Sequence, residues 1–391
     1  MKLGKVLVAL LALVGCAFAF YGQALAADKD FVGSDACRKC HAKQYDTWKA
    51  SYHAKMVRAK DDGILKGVVD KWASDGASAG PSKGNVDGKP YTLADVVFVV
   101  GSKWKQRFLV KNPATGGHQF MDKQYNRMSG KWEAYGNKND WETNCGTCHS
   151  TGFRLTSYDH AKPQDVKWSM SEKNVGCEAC HGPGAQHVKA PGKKTIYGFA
   201  GKSVEERSLV CGYCHIRGEN DKFKTAQGNP SEHLPAPNVG DSYKAGDDWR
   251  KWYPAEAVIP GVHAEDKIDA EYAGDLKGMM LVDAGAREFG FYDGAKHHQQ
   301  YQEFLQSKHY QNGIAACDTC HSAHAAKDGT QKAAAKSCAG CHDASYTVEK
   351  YMPGTGSTVQ NLFVRTHTFN KNQSRASKGM TVSGEPEYYK K

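Results

Sequence analysis

The chain has 391 residues, 40% of them hydrophobic, and carries 52 Lys and Arg against 42 Asp and Glu for a formal net charge of +10. With a mean hydropathy of −0.64 and no run of roughly 20 apolar residues beyond the first 26, it excludes a membrane-spanning helix from residue 27 onward. Thirteen cysteines are too many for structural accident, and their placement carries the rest of the reading.

In chain order, Lys2 and Lys5 precede an apolar run over 6–20, and Ala24-Leu25-Ala26 gives a small-x-small cleavage site. Residues 1–26 therefore read as an export signal, cleaved before Ala27. A second reading uses Leu13-Val14-Gly15-Cys16 as a lipoprotein box with a lipid on Cys16, although the following Ala-Phe-Ala-Phe-Tyr is unlike a solvated tether.

Residues 27–144 open with Cys37-Arg-Lys-Cys40-His41 and a helix-compatible run over 42–60. The stretches 91–100 and 105–111 are β-branched and aromatic with Gly101-Ser102 between them, which predicts a small antiparallel sheet. Residues 145–216 hold three further C-x-x-C-H motifs, Cys145/Cys148/His149, Cys177/Cys180/His181 and Cys211/Cys214/His215. Residues 217–293, with breakers such as Asn229-Pro230 and Pro235-Ala-Pro237, read as a loop-rich insertion with short helices. Residues 294–343 give a helix and the last two motifs, Cys317/Cys320/His321 and Cys338/Cys341/His342. From 344 to 391, Pro353-Gly354, Gly356-Ser357 and a Lys/Ser-rich end predict an extended tail lying on another part of the molecule or on a neighbour.

Six C-x-x-C-H motifs consume twelve of the thirteen cysteines. Shuffling this composition would give roughly 0.02 such motifs, so chance is excluded. Two thiols three positions apart can form thioethers to the two vinyl groups of one haem, and the next residue then offers its imidazole to the iron. Paired zinc ribbons also use C-x-x-C but need no His directly after every second Cys. The motifs therefore predict six covalent haem c groups, with His41, His149, His181, His215, His321 and His342 on the irons.

Haem also rewrites the charge. Loss of the signal's two lysines lowers the apoprotein to about +8, and twelve propionates and six irons bring the holoprotein to about +2 oxidised and −4 reduced. A nucleic-acid role loses its support, and the lysines read as propionate partners or as steering for acidic redox proteins. About 61 residues per haem is too few for ordinary side-chain cores, so porphyrin must supply much of the apolar interior. The predicted fold is mainly α with low regular secondary structure, haem-packed, with a small antiparallel β element in the N-terminal third.

Eleven histidines lie outside the motifs, enough for a second imidazole on every iron, whereas no Met recurs at a fixed offset. An internal repeat selects among them. His41-Ala-Lys-Gln44-Tyr45-Asp-Thr-Trp48-Lys-Ala-Ser51-Tyr-His53 matches His297-His-Gln-Gln300-Tyr301-Gln-Glu-Phe304-Leu-Gln-Ser307-Lys-His309 in its Ser, aromatic, Tyr, Gln and first His, counted back from the last His. His53 and His309 become equivalent ligands, and His297 becomes a candidate ahead of His298. His324, three residues after His321, can serve an adjacent haem; His187 lies past a tight turn; His367 would anchor the tail. His118, His160, His233 and His263 lack repeat support and read as surface residues.

Phe31-Val-Gly-Ser34 before the first motif, then Trp48, Ser51 and His53, and Val175-Gly-Cys-Glu-Ala-Cys-His-Gly-Pro-Gly-Ala-Gln-His187 resemble the cytochrome c-554 family of multihaem electron carriers. Ser307-x-His309 followed by Cys317-Asp-Thr-Cys320-His321 and His324 is similar to a pattern of decahaem respiratory conduits. The resemblance implies stacked haem pairs, His53 and His187 as distal ligands, and electron transfer in a Gram-negative periplasm or outside the cell. The expected function is a hexahaem electron carrier with other redox proteins as partners, its subunits stacking into a filament in one version. The alternative is a multihaem reductase of a small nitrogen, sulfur or oxyanion substrate at one open iron, though no Cys-x-x-Cys-Lys motif is present.

Overall fold

The structure, a computed structural model, describes residues 30–59, 91–101, 105–111, 118–127, 130–135, 141–216, 220–224, 230–231, 238–252, 280–281, 293–294, 298–324, 338–352, 354–356 and 364–369. The export signal with Cys16, most of the 217–293 insertion and the tail beyond 369 lie outside these residues, as do His233, His263 and His297. No helix among the described residues is long and apolar enough to cross a membrane.

The fold is not mainly α. A five-stranded antiparallel meander runs in the order β1 (Val57–Arg58), β2 (Val96–Val100), β3 (Lys105–Lys111), β4 (His118–Asn126) and β5 (Lys131–Ala134). Shorter ribbons pair Ser150–Thr151 with Glu172–Lys173 and Arg154–Ser157 with Lys167–Ser169. The longest helices described, Ala42–Ala50 and Val204–Gly212, have nine residues each. The sequence expectation overweighted the motifs: a C-x-x-C-H unit needs one helical turn and no more, and Gly182 at φ 73° ends the third motif's turn at once. Where no motif occurs, the chain has to bury side chains against side chains, and strands with a period of two do so.

The sheet has two apolar faces. Tyr91, Val96, Val99, Phe108, Val110, Met121 and Tyr125 cluster on one. On the other, Val57, Val100, Leu109 and Phe120 pack onto Trp141, Phe153, Leu155 and Met170, the residues around the second motif. Gly101, which follows β2, has φ 93°, and a Cβ there would collide with the carbonyl of Lys105 at the start of β3. A third cluster joins Leu209, Tyr213 and Ile216 of the fourth motif to Tyr243, Trp249, Tyr301 and Leu305. Gly212 permits that approach, since a Cβ at this position would sit 2.7 Å from the Tyr301 ring.

The two copies of the internal repeat fold alike. Tyr45 and Trp48 in one, Tyr301 and Phe304 in the other, are buried, and Ser51 and Ser307 are fully buried. Ser51 Oγ accepts from the Ala54 N–H at 3.4 Å and Ser307 Oγ from the Tyr310 N–H at 3.2 Å, so each serine starts the short turn that carries His53 or His309.

Leu109 is fully buried between the sheet and the second motif. Leu109→Ala should cost about 2–5 kcal/mol, read as a lowered denaturant midpoint with the haem content unchanged. An unchanged midpoint would show that the sheet does not brace that motif.

Candidate metal centres

Each motif closes one helical turn. The N–H of the motif histidine donates to the carbonyl of the first cysteine, at 2.9 Å for His41, 3.0 Å for His215, 2.9 Å for His321 and 2.8 Å for His342. Positions one, four and five of such a turn share a side, which brings both thiols and the imidazole to one place.

Every motif histidine faces a second histidine from another segment. Ring centres are 6.3 Å apart for His41 and His187, 6.2 Å for His149 and His298, and 6.0 Å for His181 and His324. They are 6.4 Å apart for His215 and His53, 6.1 Å for His321 and His367, and 5.9 Å for His342 and His309. His298 also lies 6.4 Å from His215, but His53 serves His215, which leaves His298 for His149.

These separations fit one iron between each pair. A metal–nitrogen bond of about 2.0 Å and about 1.15 Å from nitrogen to ring centre would put two imidazoles that share one metal about 6.3 Å apart. Facing ring nitrogens would then be about 4 Å apart, beyond a direct hydrogen bond. Several rings are already oriented through the other nitrogen. Nδ1 of His181 lies 2.9 Å from the Tyr197 carbonyl, that of His367 3.1 Å from the Arg365 carbonyl, that of His215 3.2 Å from Gln300 Oε1 and that of His187 3.2 Å from Thr195 Oγ1. The oxygens facing His181, His367 and His215 only accept, so at those three rings they fix the tautomer and leave Nε2 for a metal. Burial pushes His53 and His149 down to about 4 and lowers His215, His309 and His324, holding them in the neutral form that binds metal. Among the described residues no group of three or more His, Cys, Asp or Glu assembles as a metal site of protein ligands alone.

Of the non-motif candidates, His53, His187, His309, His324 and His367 each face a motif ring. The sequence ranks His297 ahead of His298; His297 lies outside the described residues, and His298 is the described neighbour that faces His149. His298 itself adopts φ 69°, an uncommon turn for a residue with a Cβ. His118 was expected at the surface and is instead largely buried, its Nδ1 3.0 Å from Glu142, which also accepts from Trp168 Nε1 at 3.0 Å. The start of β4 carries it under the second motif, a tertiary placement that local polarity did not reveal. His160 is exposed, as read.

The motifs also touch one another. The sulfurs of Cys37 and Cys177, of Cys148 and Cys214, and of Cys211 and Cys317 lie close enough to interact. The first and third motifs are locked by two carboxylates. Glu178, buried within the third motif, accepts from the N–H groups of Val32 at 2.9 Å, Gly33 at 2.7 Å and Gly184 at 2.6 Å. Glu172 accepts from Ser34 N at 3.0 Å and Ser34 Oγ at 2.8 Å, while Ser34 Oγ accepts from Cys177 N at 3.0 Å. Trp48 Nε1 donates to the Val175 carbonyl at 2.8 Å. The fourth and fifth motifs are bridged by Arg207 and Asp318 at 2.7 Å.

The family model described as cytochrome c554 and c-prime matches residues 36–68 and 103–182. The cytochrome c-554 of Nitrosomonas europaea is 23% identical over 270 residues, 66% of this chain and 84% of that protein. This chain is a multihaem c-type cytochrome resembling the cytochrome c-554 family. Among solved structures, the outer cell wall cytochrome OcwA superposes with a TM-score of 0.60 at 21% identity, covering 87% of this cytochrome and 80% of its own chain. An undecahaem cytochrome from the S-layer of Carboxydothermus ferrireducens gives a TM-score of 0.41 at 19% identity, over 86% of this chain and 46% of its own. The cytochrome's cofactor is covalently bound haem c, and the thioether-forming thiols and paired imidazoles fit that group.

Glu178→Ala strands three N–H groups, two of them beside the first motif, and should destabilise the cytochrome by about 3–5 kcal/mol. Glu178→Gln, with one acceptor oxygen in place of two, should fall between wild type and Ala, and equal stability of all three would sink this account of the clamp. Burial holds Glu172 above its ordinary 4.5, with the Ser34 bonds working against the shift. The folded state therefore holds this proton more tightly than the unfolded chain, so the contribution is fullest below 4.5 and is lost as pH rises through the raised folded value. Glu172→Gln should remove that part of the slope in stability against pH, and an unaltered slope would assign it elsewhere.

Proposed function

We propose that this cytochrome is an exported hexahaem electron carrier of anaerobic or extracellular respiration, in which each haem c is tethered by one cysteine pair and held between two histidines. The observation that carries this reading is the one-to-one pairing of the six motif histidines with His187, His298, His324, His53, His367 and His309, all at ring separations from 5.9 to 6.4 Å. Bound haem c supplies one-electron exchange between ferric and ferrous iron. The chain supplies ligation, spacing and burial. Paired imidazoles lower the reduction potential relative to His/Met ligation. The Cys37/Cys177, Cys148/Cys214 and Cys211/Cys317 contacts support direct haem-to-haem approach, because thioether sulfurs in contact leave little protein between their macrocycles.

Redox proteins would meet the cytochrome at its first and sixth motifs, where Cys40 and Cys341 are exposed. The periplasm or the cell surface of a Gram-negative bacterium suits the export signal read in residues 1–26. End-to-end assembly into a filament would extend the same relay, and electron microscopy showing discrete monomers alone would remove that extension. The reductase alternative needs one iron with an open position, and the pairing offers a second imidazole at each motif.

Mass spectrometry of the holoprotein should give six haem additions, and the oxidised protein should be entirely low-spin. A high-spin component at neutral pH would return the reductase reading to the front.

A further inference from the structure

The six histidine pairs differ in one respect that distance does not capture. Two imidazoles that held one iron between them would each contain the line joining them, so the angle between their planes would be their mutual rotation about that line. The planes lie at 3° for His181 and His324, 21° for His41 and His187, and 29° for His321 and His367. They lie at 81° for His309 and His342, 83° for His53 and His215, and 89° for His149 and His298. Nothing falls between. The near-parallel pairs belong to the first, third and fifth motifs, and the near-perpendicular pairs to the second, fourth and sixth.

Rotation matters because each imidazole presents its π orbital perpendicular to its own ring. Parallel rings raise the same iron d orbital and split the pair that holds the ferric hole. Perpendicular rings raise both members of that pair equally and leave them close in energy. The hole is then less stabilised, which makes the perpendicular centre the easier to reduce where burial and charge are alike. Ligand orientation thus adds to ligand identity and burial among the protein's controls over a haem.

The rotations are held by named contacts. Hydrogen bonds at Nδ1 lie in the ring plane and resist turning about the metal axis. In the perpendicular set, Gln300 Oε1 sits 3.2 Å from His215 Nδ1. His342 is instead stacked at 4.2 Å and 19° on Tyr346, which is itself stacked at 4.7 Å and 8° on Tyr351. Across the same site Phe369 lies against His309 at 4.9 Å.

We infer that the chain sorts its haems into two electronic classes by histidine rotation, parallel at odd motifs and perpendicular at even ones, with Gln300 and Tyr346 as positioning residues for the fourth and sixth. The inference rests on the paired ligation proposed above. Low-temperature electron paramagnetic resonance of the oxidised protein tests the two separately. Parallel centres give rhombic three-line spectra, and perpendicular centres give a single strongly anisotropic low-field feature. Equal integrated amounts of the two are expected. All centres low-spin but in one class, or in a clearly unequal ratio, would overturn the sorting while leaving the pairing intact; a high-spin signal would instead break the pairing.

Tyr346→Leu should remove one third of the anisotropic signal and add it to the rhombic, with haem content unchanged, whereas Tyr346→Phe should restore the wild-type spectrum. Gln300→Leu should do the same at the fourth motif, and Gln300→Glu, which keeps an acceptor, should not. A Leu variant that loads all its haem and leaves the spectrum untouched would remove that residue from the positioning role.

Discussion

Each motif histidine faces a second imidazole contributed by a separate stretch of chain, and the rest of the structure is arranged to let those stretches meet. His41 finds its counterpart beyond the third motif, His149 and His181 find theirs on either side of the fifth, and His215 finds His53 near the other end of the chain. A ligand bond made only in the folded state contributes its binding free energy to folding. Centres held between such pairs would act as non-local cross-links in a chain with short helices and modest apolar clusters.

Between the centres, a buried and a half-buried carboxylate make the ties. Glu178 lies inside a haem-binding motif and engages three backbone N–H groups with its oxygens, two of them preceding the first motif. Glu172 and Ser34 make a second tie across the same junction. A buried carboxylate without partners would be costly, and fully engaged it specifies one geometry. The contact of Cys37 with Cys177 is a result of that geometry. The sheet does a parallel job for the second motif through ordinary apolar packing, with His118, Glu142 and Trp168 forming the polar seam at its edge.

Much of the chemistry could be read from the chain because it depends on local spacing. Two cysteines and a histidine on one helical turn are specified within five residues, whatever the fold around them. The repeat was legible for the same reason: a buried serine two positions before a histidine, with aromatic residues behind it, is a local packing unit, and Ser51 and Ser307 do the same work. The fold class was not legible. Motif density suggested helices, but the motif-free interval between Val57 and Ala134 had to form its own core, and it did so as a five-stranded sheet. His118 was misjudged for a related reason. Whether a polar strand start lies under a motif is decided by distant contacts that no window of sequence contains.

The interleaving of the pairs bears on how the molecule comes into being. A polypeptide threaded outward from its N-terminus delivers His149 and His181 long before His298 and His324, and it delivers His367 after all six motifs have emerged. For most of that passage several tethered irons would have a single protein ligand and an accessible face, the condition under which haem reacts with peroxide and small molecules. Biogenesis would therefore favour rapid completion or a chaperone that shields half-built centres. A chain cut short just before His367 would leave the fifth motif in that condition permanently.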